Sequence, residues 1–409
     1  MPHGDLTPRH VRVAIVGSGF GGLGTALRLR HAGIDDFVIL ERADAVGGTW
    51  RDNRYPGCAC DVQSHLYAFS FAPNPDWSES YAPQPEIERY LARCAAEGGL
   101  AAHLRFRHEV RAATWDDAAL RWRLETAGGA ITADVLVMAT GPLSDPVIPE
   151  IPGLARFRGP AFHSARWPAD FDARGRRIAV VGTGASAIQF IPALQPHAAR
   201  LHVFQRTAPW VLPRPEHRIG AGRRALYRGV PLAQRAVRQT IYLAREAMVV
   251  LFRHPGAMRL AERAARRHLR QAVRDPALRA KLTPDFRLGC KRVLLSNTYL
   301  PAVAQPNVEV VTDAIAEVRE DAIVTRDGAV RPVDAIVFGT GFRPTDPPLA
   351  HALRGRDGRT LAEAWGGSPR AHLGTTVAGF PNLFVLLGPN TGLGHSSVVY
   401  MIEAQIAHL

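Results

Sequence analysis

The sequence predicts an α/β protein of two parallel-sheet units, the second interrupted by a helical insertion. Three observations lead there. An apolar strand run, a glycine turn and a stretch of helical spacing follow one another at residues 11–33 and again at 176–194. The run DVLVMATG (Asp134–Gly141) is nearly repeated as DAIVFGTGF (Asp334–Phe342). Residues 220–285 are rich in Arg and Ala and carry helical spacing. A chain of 409 residues exceeds one simple core, since a domain takes roughly 150 residues.

The first unit opens with VRVAIVG (Val11–Gly17), an almost continuous β-branched run of the kind buried on both faces of a parallel sheet. GSGFGG follows, with Gly17, Gly19 and Gly22 at the G-x-G-x-x-G positions, and LGTALRLRHAG continues as a helix to a stop at Gly33. A tight turn, close approach of backbone to a pyrophosphate and helix packing each require a missing Cβ, and the helix N-terminus offers N–H groups to phosphate. FVILE then ends in Glu41, where a carboxylate accepts from ribose hydroxyls. Strand, helix and acid in register make this a dinucleotide turn of Rossmann type, for FAD or NAD, and not a generic one.

Residues 46–71 carry Gly, aromatic and polar residues without a long period and read as an ordered functional loop, with Asp61 inside it. Pro83–Gly99 has helical spacing, and short alternating runs from Leu104 to Ile131 predict a small antiparallel meander. Asp134–Gly141 returns to a buried strand. The stretch FRGPAFHSARWP (Phe157–Pro168) then reads as the joint that orients the two units.

In the second unit, RRIAVVGTGASAIQFIPAL repeats the arrangement, with Gly182, Thr183, Gly184, Ala185 and Ser186 in the turn and Ala187 in the third glycine's place. The following strand ends in Arg206 and Thr207 where the first unit has Glu41. A carboxylate repels a 2′-phosphate and a guanidinium pairs with it, so this turn is expected to hold NADPH. Helices follow in the insertion, then LGCKRVLLSNTYL with Lys291 and Arg292 adjacent. The near repeat at Asp334–Phe342 predicts a return to the first unit. A last strand, a glycine loop whose Gly388 and Asn390 are expected to bind a cofactor, and a helix starting at Ser396 or Ser397 complete the chain. If the first turn holds a flavin, that helix N-terminus is placed to offer its positive end to the pyrimidine side of the reduced, anionic form.

Composition narrows the classes. Hydrophobic content of 46% with 37 Gly and 31 Pro fits a globular chain with many turns. No run reaches the roughly 18 apolar residues of a membrane span, and the first ten residues lack the apolar stretch of a signal peptide, so a cytoplasmic location is expected. Of the net charge of +13, residues 221–280 hold 14 Arg against three acids. Only Lys281 and Lys291 are Lys, so an arginine preference inflates the patch, and a solvated helical face accounts for it. No nucleic-acid partner is expected. Cys58, Cys60, Cys94 and Cys290 show neither CxxC spacing nor His neighbours, so no metal is assigned and a disulfide reductase lacks its redox pair.

The assembled pattern resembles the Baeyer-Villiger monooxygenases, within the wider flavin-containing monooxygenase group, over essentially the whole chain. Phe157, Gly159, His163, Trp167 and Pro168 match the family's FxGxxxHxxxW(P/D) fingerprint. Gly47, Gly48, Trp50, Tyr55, Pro56, Gly57 and Asp61 match its GGxW, YPG and Asp pattern. The resemblance implies Arg292 as active-site arginine with Asp61 as its partner, and Lys291, Arg206 and Thr207 as 2′-phosphate contacts. It places Gly48, Thr49, Trp50 and Tyr55 at the cofactors, and assigns His163 to joint geometry. Implied, too, is FAD reduced by NADPH, a peroxyflavin formed with dioxygen, and oxygen insertion beside a ketone carbonyl. Residues 1–145 and 333–409 then form the FAD unit and residues 146–332 the NADP unit, with the insertion at about 215–285. N- or S-oxygenation, or an uncoupled flavoprotein, are the alternatives; Trp167 and the Arg292/Asp61 pair argue against the first. Family chains continue beyond the position of Leu409, so the chain reads as truncated.

Overall fold

The computed structural model describes residues 10–409, and the reading of the preceding segment as free of a signal peptide lies outside the described residues. The β-branched opening forms β1 (His10–Val16), Gly17 turns the chain at φ +102°, and α1 (Phe20–His31) follows. A Cβ at Gly17 would stand 2.7 Å from the Ala139 carbonyl oxygen, and one at Gly22 would stand 1.8 Å from that of Gly17, so close packing demands glycine at both. β2 (Phe37–Leu40) lies parallel to β1. After α2 (Thr49–Asp52), α3 (Gln84–Glu97) and β3 (Leu104–Arg105) comes the meander of β4 (Val110–Asp116), β5 (Arg121–Thr126) and β6 (Gly129–Met138). The meander is not a separate element. β6 continues as the parallel neighbour of β1, so one strand serves both the hairpin and the buried run.

β7 (Ala161–His163), β8 (Arg177–Val181), α4 (Ala187–Leu194) and β9 (Arg200–Phe204) open the second unit. After β10 (Val211–Leu212) the insertion forms α5 (Ala221–Gly229), α6 (Pro231–Phe252), α7 (Pro255–Ala272) and α8 (Pro276–Lys281). β11 (Leu294–Leu295) pairs with β10, and α9 (Tyr299–Val303) leads to β12 (Val308–Val311). β13 (Ile315–Val318), β14 (Ala322–Thr325) and β15 (Val330–Pro332) make a small antiparallel sheet before β16 (Ala335–Phe338). The order β12-β9-β8-β16-β7 is parallel throughout.

This order corrects one expectation. The near repeat at Asp334–Phe342 is not the return to the first unit: β16 sits between β8 and β7, all four of its residues buried. The chain rejoins the first sheet only at β17 (Leu353–Arg354) beside β4 and, after α10 (Leu361–Trp365), at β18 (Leu383–Val385) beside β6. The two runs look alike because they do the same job in different sheets. Each is the strand behind a glycine turn: a Cβ at Gly182 would meet the Gly339 carbonyl oxygen at 2.5 Å, as Gly17 meets Ala139. The last helix, α11 (Val398–His408), starts at Ser397, whose hydroxyl accepts from the Val399 N–H at 3.2 Å.

Candidate active site

A cavity of about 1340 Å³ opens where β1, β2 and β6 end, at the crevice that parallel sheets offer to ligands. It exceeds the roughly 300–1,000 Å³ of a site for one small molecule. Residues 16–21 and 47–53 form one wall, residues 139–145 another, and residues 288–293 reach in from the second unit. Gly19 and Gly48 nearly touch: a Cβ on Gly48, which holds φ +53°, would lie 3.1 Å from the Gly19 Cα. Glu41 lines this wall and is 4% exposed. Its Oε2 accepts from the N–H and hydroxyl of Ser18 at 3.0 and 2.7 Å, and its Oε1 accepts from Ala43 N–H at 2.9 Å and pairs with Arg51 at 3.1 Å. The carboxylate therefore fixes the turn as well as facing the cavity. Burial opposes the Arg51 charge, but Asp52 and Glu41 together raise its pKa above the ordinary value.

The loop after Gly48 carries the site's aromatic lining. Trp50, in α2, donates from its indole N–H to the Tyr67 hydroxyl at 3.1 Å. Tyr55, whose hydroxyl burial keeps protonated well above its usual range, donates to Gln189 Oε1 on α4 at 2.9 Å. Gln189 also accepts from Ala59 N–H at 3.3 Å and donates to Ala59 O at 3.0 Å. This residue escaped the sequence reading, because its partners lie 130 and 134 positions away and no local pattern marks it. Burial pushes the Cys58 thiol up to about 12, opposite to the lowered thiol of a redox pair.

Asp61 and Arg292 come together as anticipated. Arg292 Nη2 donates to Asp61 Oδ2 at 2.5 Å across 231 residues. The Asp61 charge raises the guanidinium's pKa against the desolvation around it. Arg292 is 56% exposed because it faces the open cavity, so the side chain is accessible to a ligand. Lys291 lines the same space and stands 4.6 Å over the Phe286 ring.

At the second turn, Ala185 and Ser186 line the cavity, while Gly182, at φ +106°, Thr183 and Gly184 lie behind them. Thr183 donates to the Thr207 carbonyl at 3.4 Å. Arg206 is exposed just past β9, outside the cavity wall. Gly388 and Asn390 also lie outside it. Gly388 is needed for packing, since a Cβ there would lie 2.3 Å from the Gly374 carbonyl oxygen, and Asn390 takes a turn at φ +61°. The wall is made instead by Leu387 and residues 392–396, because the loop doubles back before α11. Ser396 in that wall is 4% exposed, and its hydroxyl has no protein partner.

The fingerprint residues form an edge of the second sheet. A Cβ at Gly159 would meet the Asp334 carbonyl oxygen at 2.3 Å, and Phe157 packs onto the core beneath. His163 ends β7, is 1% exposed, and accepts at Nδ1 from Ala165 N–H at 3.1 Å. Burial lowers its pKa to about 4, so the ring is neutral at ordinary pH. It meets Phe342 edge-on at 5.4 Å, where the chain leaves the second sheet. Trp167 packs edge-on against Phe162 at 5.2 Å and, at a tilt, against Phe190 of α4 at 5.4 Å, and Pro168 follows, half-buried.

Comparison with known proteins agrees with this geometry. Residues 14–221 match the family model described as pyridine nucleotide-disulphide oxidoreductase. The chain is 56% identical over 410 residues to a Baeyer-Villiger monooxygenase of Streptomyces coelicolor, covering 100% of this chain and 79% of that one. The closed crystal structure of cyclohexanone monooxygenase superposes with a TM-score of 0.87 at 31% identity, covering 98% of this chain and 83% of that one. OTEMO in complex with FAD and NADP gives 0.88 at 30% identity, over 97% and 83%. No helix among the described residues is long and apolar enough to cross a membrane. With that degree of identity along its whole length, the chain belongs to the Baeyer-Villiger monooxygenases, flavoproteins built on two Rossmann-type units.

Proposed function

We propose that the chain uses FAD, NADPH and dioxygen to convert a ketone into an ester or lactone in the cavity between its two units. The observation that carries this reading is the Arg292–Asp61 pair, drawn from both units and facing a cavity walled by the first glycine turn. The residues present fit both cofactors. Gly19, Gly47 and Gly48 put bare backbone into the cavity wall, Glu41 lines it beside them as the acceptor for ribose hydroxyls, and the Ser396 hydroxyl in the same wall is buried without a protein partner. Thr49, Trp50 and Tyr55 flank that site. Residues 182–186 with Arg206, Thr207 and Lys291 are the candidate phosphate contacts for NADPH, of which Ala185, Ser186 and Lys291 line the cavity while Arg206 stands exposed beyond it. When bound, the flavin takes reducing equivalents from NADPH and supplies the activated oxygen.

The chain's own residues supply a fixed charge and a shaped space. Asp61 restricts the Arg292 guanidinium to one orientation, so a cation is already in place where negative charge develops on oxygen, and no reorganisation is needed during reaction. The Arg292 guanidinium stays charged, since the Asp61 carboxylate beside it favours its ionised form. Trp50, Tyr55 and Tyr67 exclude water from the inner wall. His163 is buried, with Nδ1 engaged by the Ala165 N–H, and it is absent from the cavity wall, which suits a role in the joint.

The test is mass analysis of products from purified, flavin-loaded protein given NADPH, air and a panel of ketones and thioethers. An ester one oxygen heavier than its ketone is the expected product. Sulfoxide alone would move the chain to the S-oxygenating reading, and NADPH consumption with only hydrogen peroxide would mean an uncoupled flavoprotein.

A further inference from the structure

Arg292 is not the only arginine of the second unit that grips the Asp61 turn. Two residues along, Gln63 Oε1 accepts from Nε and Nη2 of Arg245, on α6 of the insertion, at 2.9 and 2.5 Å. The Gln63 carbonyl accepts from Leu66 and Tyr67 N–H, both at 2.9 Å, and so closes the turn that joins Asp61 to Tyr67. The third donor of Arg245, Nη1, reaches the His395 carbonyl at 3.3 Å, and the neighbouring Glu246 pairs with the His395 ring at 3.4 Å. His395 and Ser396 form cavity wall just before the cap of α11. One side chain thus ties together two wall segments that are more than 300 positions apart in sequence.

We propose that Arg245 is a positioning residue for the oxygenation centre: from the second unit it sets the place of the Asp61 turn and of the His395–Ser396 wall, and through Asp61 the orientation of Arg292. This rests on the role proposed above for Arg292. Two residues of chain span at most about 7 Å, so movement at Gln63 is passed to Asp61 with little slack. A guanidinium presents five donors in a rigid fork, and here three of them serve two segments at once. An ammonium on a flexible stem keeps one such contact but not the set. Arg238, on the same helix, donates to the carbonyls of His65, Leu66 and Ala68 at 3.0, 3.2 and 2.7 Å, anchoring the far end of the turn. Arg245 is the one that acts next to Asp61.

The experiment compares flavin-loaded wild type with Arg245→Met, Arg245→Lys, Gln63→Leu and Arg292→Met. Three quantities are read: the ratio of ester to hydrogen peroxide formed per NADPH, the anaerobic rate of flavin reduction by NADPH, and backbone amide exchange in residues 60–67 and 392–396. Arg245→Met is expected to lower the ester-to-peroxide ratio about 10-fold, more than it slows reduction, and to speed exchange in both segments. Arg245→Lys recovers part of the ratio, and Gln63→Leu shifts it the same way by less. A wild-type ratio in Arg245→Met overturns the inference while the Arg292 role stands, provided that Arg292→Met loses ester formation. An unchanged ratio in Arg292→Met sinks the Arg292 role and this inference with it. If Arg245→Met fails to retain flavin, Gln63→Leu decides, because it removes the two bonds to the Asp61 turn while leaving the one to His395, and a wild-type ratio there overturns the proposal.

Discussion

The two glycine turns are built alike and finished differently. In each, a strand ends at a glycine of positive φ whose absent Cβ makes room for a neighbouring carbonyl, that of Ala139 at the first turn and of Gly339 at the second. The residue at the end of the next strand then diverges. Glu41 is buried, with Ser18, Ala43 and Arg51 all bound to its carboxylate, whereas Arg206 stands exposed. A buried charge is tolerated only with its hydrogen bonds satisfied, and once satisfied it makes the turn rigid. An exposed guanidinium stays hydrated until an anion displaces the water. The first arrangement suits a cofactor that stays, and the second one that is exchanged at every turnover.

The sharpest break of this comparison lies where the two halves meet. Arg292→Met is expected to reduce the kcat for ester formation by about 10² to 10³-fold, the loss typical of one preorganised charge-stabilising donor, read by product analysis against total NADPH consumption. Acid should act next, on both halves together. His65, in the loop of the first unit, and His163, at the joint, are each lowered to about 4, chiefly by burial. The unfolded chain takes up these protons near pH 6.5 and the folded chain only near 4, so falling pH favours unfolding across that window. Each contributes roughly 3 kcal/mol when the window is fully crossed. Unfolding midpoints in urea between pH 7 and 5 should fall for the wild type, and less steeply for His65→Gln; equal slopes would refute the assignment.

Glycine substitutions sharpen the contrast between the turns themselves. A Cβ at Gly22 would overlap the Gly17 carbonyl, whereas at Gly184 the nearest atom is 3.9 Å away. Gly22→Ala should therefore cost about 1–3 kcal/mol of stability and lower flavin content, and Gly184→Ala should change the thermal midpoint little. The smallest effect is expected at the exposed end of the second turn. Arg206→Ser should raise the KM for NADPH about 10-fold, the loss of a charge-assisted contact, and leave flavin content unchanged.

Local chemistry made much of this legible from residues alone. Both turns and the Glu41/Arg206 difference are short patterns of strand, glycine and helix, although the carbonyls that demand the glycines, those of Ala139 and Gly339, lie far along the chain. The fingerprint at Phe157–Pro168 was legible as such through family resemblance. The Asp61–Arg292 pair spans 231 residues and was accessible only through family resemblance. Gln189 and Arg245 were not legible at all, since a glutamine or an arginine on a helix carries no mark of a partner beyond 100 positions. The repeat at Asp334–Phe342 misled for a physical reason. A buried strand behind a glycine turn has one composition whichever sheet it joins, so the pattern identified the role and not the unit. Gly388 was noticed as part of a ligand loop, but its missing Cβ serves contact with Gly374.

The most direct test supplies isotopically heavy dioxygen to the flavin-loaded protein with NADPH and a ketone, and follows the mass of the organic product. One heavy oxygen in an ester or lactone, lost on Arg292→Met, is the predicted result. Unchanged ketone with heavy oxygen only in hydrogen peroxide, or ester formation that persists in Arg292→Met, would contradict the account.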